Sequence, residues 1–145
     1  MYFDEVALHT TVEIPPVTIE KEKMMAFARI YDPFPLHTDE EYAKTTPFGD
    51  LIAPGMMTMM SVWASFLQKD LFNRELLAGI STRVDWFKPV YAGDILTGRA
   101  EVTDLRERNE KNGVVELTIR VCNQEGAEVL RSVSESVVKK KPAGL

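Results

Sequence analysis

The stretch PGMMTMMSVWASFLQ, residues 54–68, limits the possible fold more than any other part of the chain. Proline suits the first position of a helix, where its missing N–H would have had no partner. Met56, Met57, Met59, Met60, Val62, Trp63, Ala64, Phe66 and Leu67 then fall on almost every side of that helix. A helix that is apolar all round has to be enclosed, so this segment is expected at the centre of the protein. One narrow stripe is polar: Thr58, Ser61, Ser65 and Gln68. Its hydroxyls are expected to bond carbonyls of the preceding turn. The alternative is a stripe that lines a cavity or a subunit contact.

The second half of the chain supplies the enclosure. Val115, Leu117, Ile119 and Val121 alternate with Glu116, Thr118 and Arg120, the period of a strand with one buried face. The polar run 123–126 marks a turn, and residues 129–138 return as a second strand. Leu96, Gly98, Ala100 and Val102 mark a third after Gly93 and Asp94, and residues 80–90 precede it as a fourth. Strands joined by short turns pair antiparallel. The expected architecture is therefore α+β, a curved antiparallel sheet wrapped around a long buried helix.

The first half is helical with breaks. A short strand is expected near residues 8–14, ended by Pro15 and Pro16. Met24, Phe27, Ala28 and Tyr31 share one face of a helix over residues 20–31. Pro33 and Pro35 stop it. Thr38 and Glu41 have the spacing of a capping box, which predicts a short helix through Tyr42 and Ala43. Residues 1–138 are expected to form one domain, and 139–145 a flexible C-terminal tail that holds the basic run Lys139, Lys140 and Lys141.

Charge and cysteine usage remove several function classes. The net charge of −5 argues against broad binding to nucleic acid or to an anionic membrane, which require a positive patch. One cysteine, Cys122, cannot form an internal disulfide, and two histidines with one cysteine offer no metal-ligand cluster. No segment combines the basic and apolar runs of a secretory signal, and no apolar run reaches membrane-spanning length. The expected location is the cytoplasm. No glycine-rich phosphate loop or nucleophile-elbow serine occurs.

The chemistry concentrates in YDPFPLHTD, residues 31–39. Asp32 and His37 stand five apart in a segment that the prolines are expected to hold non-helical, which fixes their separation. An acid and a histidine so placed can share one water, one group taking a proton and the other giving one. The alternative is a turn in which Asp32 caps an amide and His37 lies at the surface. Gly55 opens the central helix, where unpartnered amides and the positive end of the dipole suit a developing oxyanion. Lys88 and Arg83 are cations that could meet the phosphates of a ligand.

Three blocks in order resemble the MaoC-like dehydratases, the (R)-specific enoyl-CoA hydratases of the hot-dog fold. Asp32, Pro35, Leu36, His37 and Ala43 match a motif that reads roughly G-D-x-N-P-aliphatic-H-x5-A/S. The run FGDLIAPGM, residues 48–56, matches a second block, and WFKPVYAGD, residues 86–94, a third, with Trp86 in the first aromatic position. Tyr31 and Phe34 stand where the motif has glycine and asparagine. The resemblance covers about residues 17–138. It implies a hot-dog fold, a homodimer or larger homo-oligomer, and an acyl-CoA or acyl-carrier thioester as partner, with no cofactor beyond the CoA of the substrate and no metal. It further implies that Asp32 and His37 are catalytic, that the Gly55 amide polarises the thioester carbonyl, and that Phe34, Pro54, Met56 and Lys88 bind substrate. Two other functions remain open on this reading: a thioesterase, and a module that binds an acyl thioester without turnover.

Overall fold

The computed structural model describes residues 1–144, so the last residue of the expected tail, 145, lies outside the described residues. Strands β1 (Thr11–Thr18), β2 (Leu76–Trp86), β3 (Ile95–Glu107), β4 (Asn112–Cys122) and β5 (Glu128–Lys139) form one antiparallel sheet in the order β1-β3-β4-β5-β2. The period-two pattern predicted the central strands β3 and β4 because each has one apolar face to hide, whereas on β5 the same face carries Leu130, Ser132, Ser134, Ser136 and Val138. Leu96, Ala100, Val102, Leu117, Ile119 and Val121 all point to that face and are buried.

Helix α4 (Gly55–Leu67) lies against β1 and β3, as expected of the apolar segment. Gly98 on β3 permits the close approach. A Cβ there would sit 3.1 Å from Ile14 Cδ1 and 3.2 Å from Val62 Cγ1 of α4. Of the polar stripe, the Thr58 and Ser61 hydroxyls donate to the Gly55 and Met57 carbonyls, at 2.7 and 2.8 Å, as predicted. Ser65 differs: it donates across to the Pro15 carbonyl of β1 at 3.0 Å and ties helix to sheet.

Three local expectations are corrected. Pro15 and Pro16 do not end the first strand, because β1 runs through them with a register shift between Ile14 and Val17. β1 is a sheet edge, where a missing N–H removes no ladder bond. The proline-rich stretch is not wholly extended either. Pro35 is the first residue of a four-residue helix, α2 (Pro35–Thr38), which carries His37. Third, the cap of α3 (Glu40–Lys44) is Asp39, whose carboxylate accepts from the Tyr42 amide at 3.1 Å, while Thr38 bonds back to the Phe34 carbonyl. The preceding helix, α1 (Lys21–Tyr31), buries Met24 and Ala28 and leaves Tyr31 exposed.

The central helix is not enclosed on every side within one protomer. Met57, Met59, Val62 and Phe66 are buried, but Met56, Met60, Ala64 and Leu67 form an exposed stripe and Trp63 is half-buried. At the C-terminal end, β5 continues through Lys139. Lys140 pairs with Glu107, and Lys141 pairs with Glu5 while its amide donates to Asp4. Among the described residues, no helix is long and apolar enough to cross a membrane.

Candidate active site

Three chain segments meet beside the first turn of α4. Asp32 ends α1, its amide donating to the Ala28 carbonyl at 2.9 Å, and its own carbonyl accepts from the Phe34 amide at 2.7 Å across Pro33. The second segment, α2, starts on Pro35 and presents His37. The third is the extended run Leu51, Ile52 and Ala53 that leads into α4. It is held from both sides: the Ile52 amide donates to the Leu36 carbonyl at 3.4 Å, and the Ala53 amide to the Val90 carbonyl at 2.7 Å. Ile52 also forms an isolated antiparallel bridge with Tyr91.

That third segment orients the histidine. Nδ1 of His37 lies 2.7 Å from the Ile52 carbonyl oxygen. A carbonyl only accepts, so Nδ1 carries the proton and donates, and Nε2 of the neutral ring is left as an acceptor. Nε2 lies 3.4 Å from Oδ2 of Asp32. An ionised carboxylate also only accepts. Two acceptors that face each other either wait for a second proton on the ring or hold a molecule with two donor hydrogens. Water placed at the apex gives one hydrogen to each and keeps its lone pairs free. His37 is mostly buried, 12% exposed at the side chain, whereas Asp32 is 46% exposed.

Both groups line a cavity of about 490 Å³ whose wall is largely apolar: Ile52, Met56, Trp86, Phe87 and Val90 among others. Gly55 and Lys88 line it too. The Gly55 amide has no hydrogen-bond partner among the described residues, as befits the first residue of a helix. The sequence-predicted residues thus divide. Asp32, His37, Gly55, Met56 and Lys88 converge on one cavity. Pro54 is buried as the cap of α4, outside the cavity wall. Phe34 also lies outside it, 60% exposed, with its ring 6.4 Å from that of His37. Arg83 pairs with Asp85 at 3.2 Å and does not line the cavity.

Sequence reasoning left out the Ile52 carbonyl, which sets the tautomer, because backbone groups carry no sequence signal. It also gave Trp86 no role beyond a motif position. The indole Nε1 donates to the Gly55 carbonyl at 3.0 Å. The glycine–aspartate pair that closes the same block is structural: Gly93 takes a positive φ of 88° and Asp94 accepts from the Tyr91 amide at 2.9 Å.

A five-stranded antiparallel sheet curved about one central helix, with a site at that helix's first turn, defines a hot-dog α+β protein. The same fold occurs in a Mycobacterium tuberculosis protein described as a double hot-dog, at a TM-score of 0.83 and 19% identity over 100% of this chain and 46% of that one. The chain belongs to the MaoC-like domain family, whose model matches residues 5–124. It is 34% identical over 118 residues to the (R)-specific enoyl-CoA hydratase of Aeromonas caviae, 81% of this chain and 83% of that protein. A solved structure from Archaeoglobus fulgidus, described as a monoamine oxidase regulatory protein, superposes with a TM-score of 0.92 at 33% identity, covering 98% of this chain and 96% of that one.

Proposed function

We propose that the protein adds water across the double bond of a trans-2-enoyl thioester, carried on coenzyme A, to give an (R)-3-hydroxyacyl thioester, and that it runs the reverse dehydration. The observation that carries this reading is the pair of facing acceptors, His37 Nε2 and Asp32 Oδ2, on the wall of the cavity that Gly55 also lines. Hydratases and dehydratases are the chemistry associated with the family and with the Aeromonas caviae relative; the stereochemistry and the thiol carrier are taken from that relative's name.

Water gives one hydrogen bond to each acceptor and points a lone pair at C3 of the enoyl group. As the C3–O bond forms, one member of the pair takes a water proton, and the C2–C3 π electrons move toward the thioester carbonyl. That oxygen gains charge, and the Gly55 amide at the positive end of α4 stabilises it. A proton then passes from the acid/base pair to C2. Hydrogen and hydroxyl are added in sum, and no electrons are lost or gained. The apolar walls Ile52, Met56 and Phe87 hold the acyl group, and Lys88 meets the phosphates of the carrier.

A panel of enoyl-CoA substrates, read by loss of enoyl absorbance together with free thiol, tests this. Loss of conjugation without thiol release is expected. Thiol release instead would make the protein a thioesterase, and saturable binding with neither product would make it a binding module.

The same reading has the chain assemble as a homodimer or larger homo-oligomer. Among the described residues β2 pairs only with β5, so its outer edge is open, and Leu77 and Ile80 on it are exposed. An open strand edge and the exposed apolar stripe of α4 both favour self-association. Sedimentation at micromolar concentration should give at least twice 16.4 kDa; a monomer there would sink the assembled model.

A further inference from the structure

The acid/base chemistry does not use Trp86, yet this residue bonds and packs against the first turn of α4. Its indole N–H donates to the Gly55 carbonyl at 3.0 Å across 31 residues of sequence. The same carbonyl accepts from the Thr58 hydroxyl at 2.7 Å. The ring also lies against the glycine itself: a Cβ on Gly55 would be 2.6 Å from Trp86 Cε2 and 2.7 Å from Nε1. Glycine is required there by the indole rather than by backbone conformation.

The other end of Trp86 is fixed. It closes β2 opposite Leu130, and the next amide, of Phe87, donates to the Val129 carbonyl at 2.8 Å. The indole therefore connects a rigid sheet terminus to the residue whose amide is unpartnered in the cavity. Thr58 bonds back within its own helix, as hydroxyls commonly do. It cannot fix the helix relative to the sheet. Trp86 can.

We infer that Trp86 is a positioning residue for the oxyanion donor: its N–H and ring hold Gly55, so that the Gly55 amide meets the carbonyl oxygen of the substrate at the required distance. This rests on the hydratase reading above. An oxyanion donor acts only when it is held within hydrogen-bond distance of where charge develops, and a small misplacement is costly in rate. A phenylalanine would supply the ring without the donor.

Trp86→Phe is the test. Loss of one neutral hydrogen bond predicts a kcat about tenfold lower, a KM within about twofold of wild type, and an unchanged pH profile, since Asp32 and His37 are untouched. A second variant carries benzothiophene in place of the indole, the same shape with sulfur for N–H, and should show the same loss while it keeps the packing. The Thr58 amide of the same turn, which donates to the Pro54 carbonyl at 3.2 Å, supplies a readout that needs no turnover: its hydrogen exchange should quicken by about tenfold in both variants. Wild-type kcat in the benzothiophene variant, or a higher KM at constant kcat, would overturn the positioning role. So would unchanged Thr58 exchange. An inactive wild type would instead overturn the hydratase reading, and the exchange measurement alone would then decide the role of Trp86.

Discussion

Replacing His37 by glutamine is expected to lower turnover on enoyl-CoA by about 10²–10⁴-fold, and Asp32→Asn should do the same, the usual weight of one acid/base group. In the proposed mechanism both side chains act on one water, so the double variant should lose far less than the product of the two single losses. Stability should move by less than about 1 kcal/mol, because both replacements keep size and polarity and Asp32 is half exposed. Single-turnover rates and denaturant midpoints of all three variants check this. Turnover that survives in both single variants would place the chemistry elsewhere.

The largest effect on stability is expected from Phe66→Ala, at about 3–5 kcal/mol. Phe66 is 1% exposed, and its ring centroid lies 5.3 Å from that of Trp63 in a tilted contact. The sequence favours Trp63, the larger residue, but its partial exposure within the protomer makes it the poorer choice. Urea denaturation should show a lower midpoint at constant slope. An unchanged midpoint would mean that the packing between α4 and the sheet does not govern stability.

The parts of this fold that could be read from the sequence are those where one local rule acts alone. β3 and β4 bury one apolar face each, so their residues alternate and the pattern is plain, whereas the buried face of β5 carries Ser132, Ser134 and Ser136. β1 is harder. Its prolines look like breaks, and only its edge position, a property of the whole sheet, makes them harmless. The apolar character of α4 was read correctly, but not what covers each side, since Met56, Met60, Ala64 and Leu67 remain exposed in one protomer. At the site, the spacing of Asp32 and His37 points to a pair, while the segment between them, expected to be non-helical, makes a helical turn at His37. The Ile52 carbonyl and the Trp86 bond to Gly55 were invisible, because both depend on a peptide oxygen that every residue possesses.

The short run Leu51, Ile52 and Ala53 has a consequence for how such a protein can change its preferences. It joins the residue that sets the histidine tautomer to the helix turn that carries the Gly55 amide, and bonds to Leu36 and Val90 fix it on either side. In the proposed mechanism the distance between the acid/base pair and the oxyanion donor is thereby built into one backbone ruler. A substrate with a longer or branched acyl group cannot be admitted by spreading these groups apart. It has to be admitted by trimming wall residues such as Phe48, Met56 or Phe87, none of which supplies a hydrogen bond from its side chain. Reaction type and substrate range therefore sit on separate sets of residues, and selection, natural or in the laboratory, can retune the second without disturbing the first.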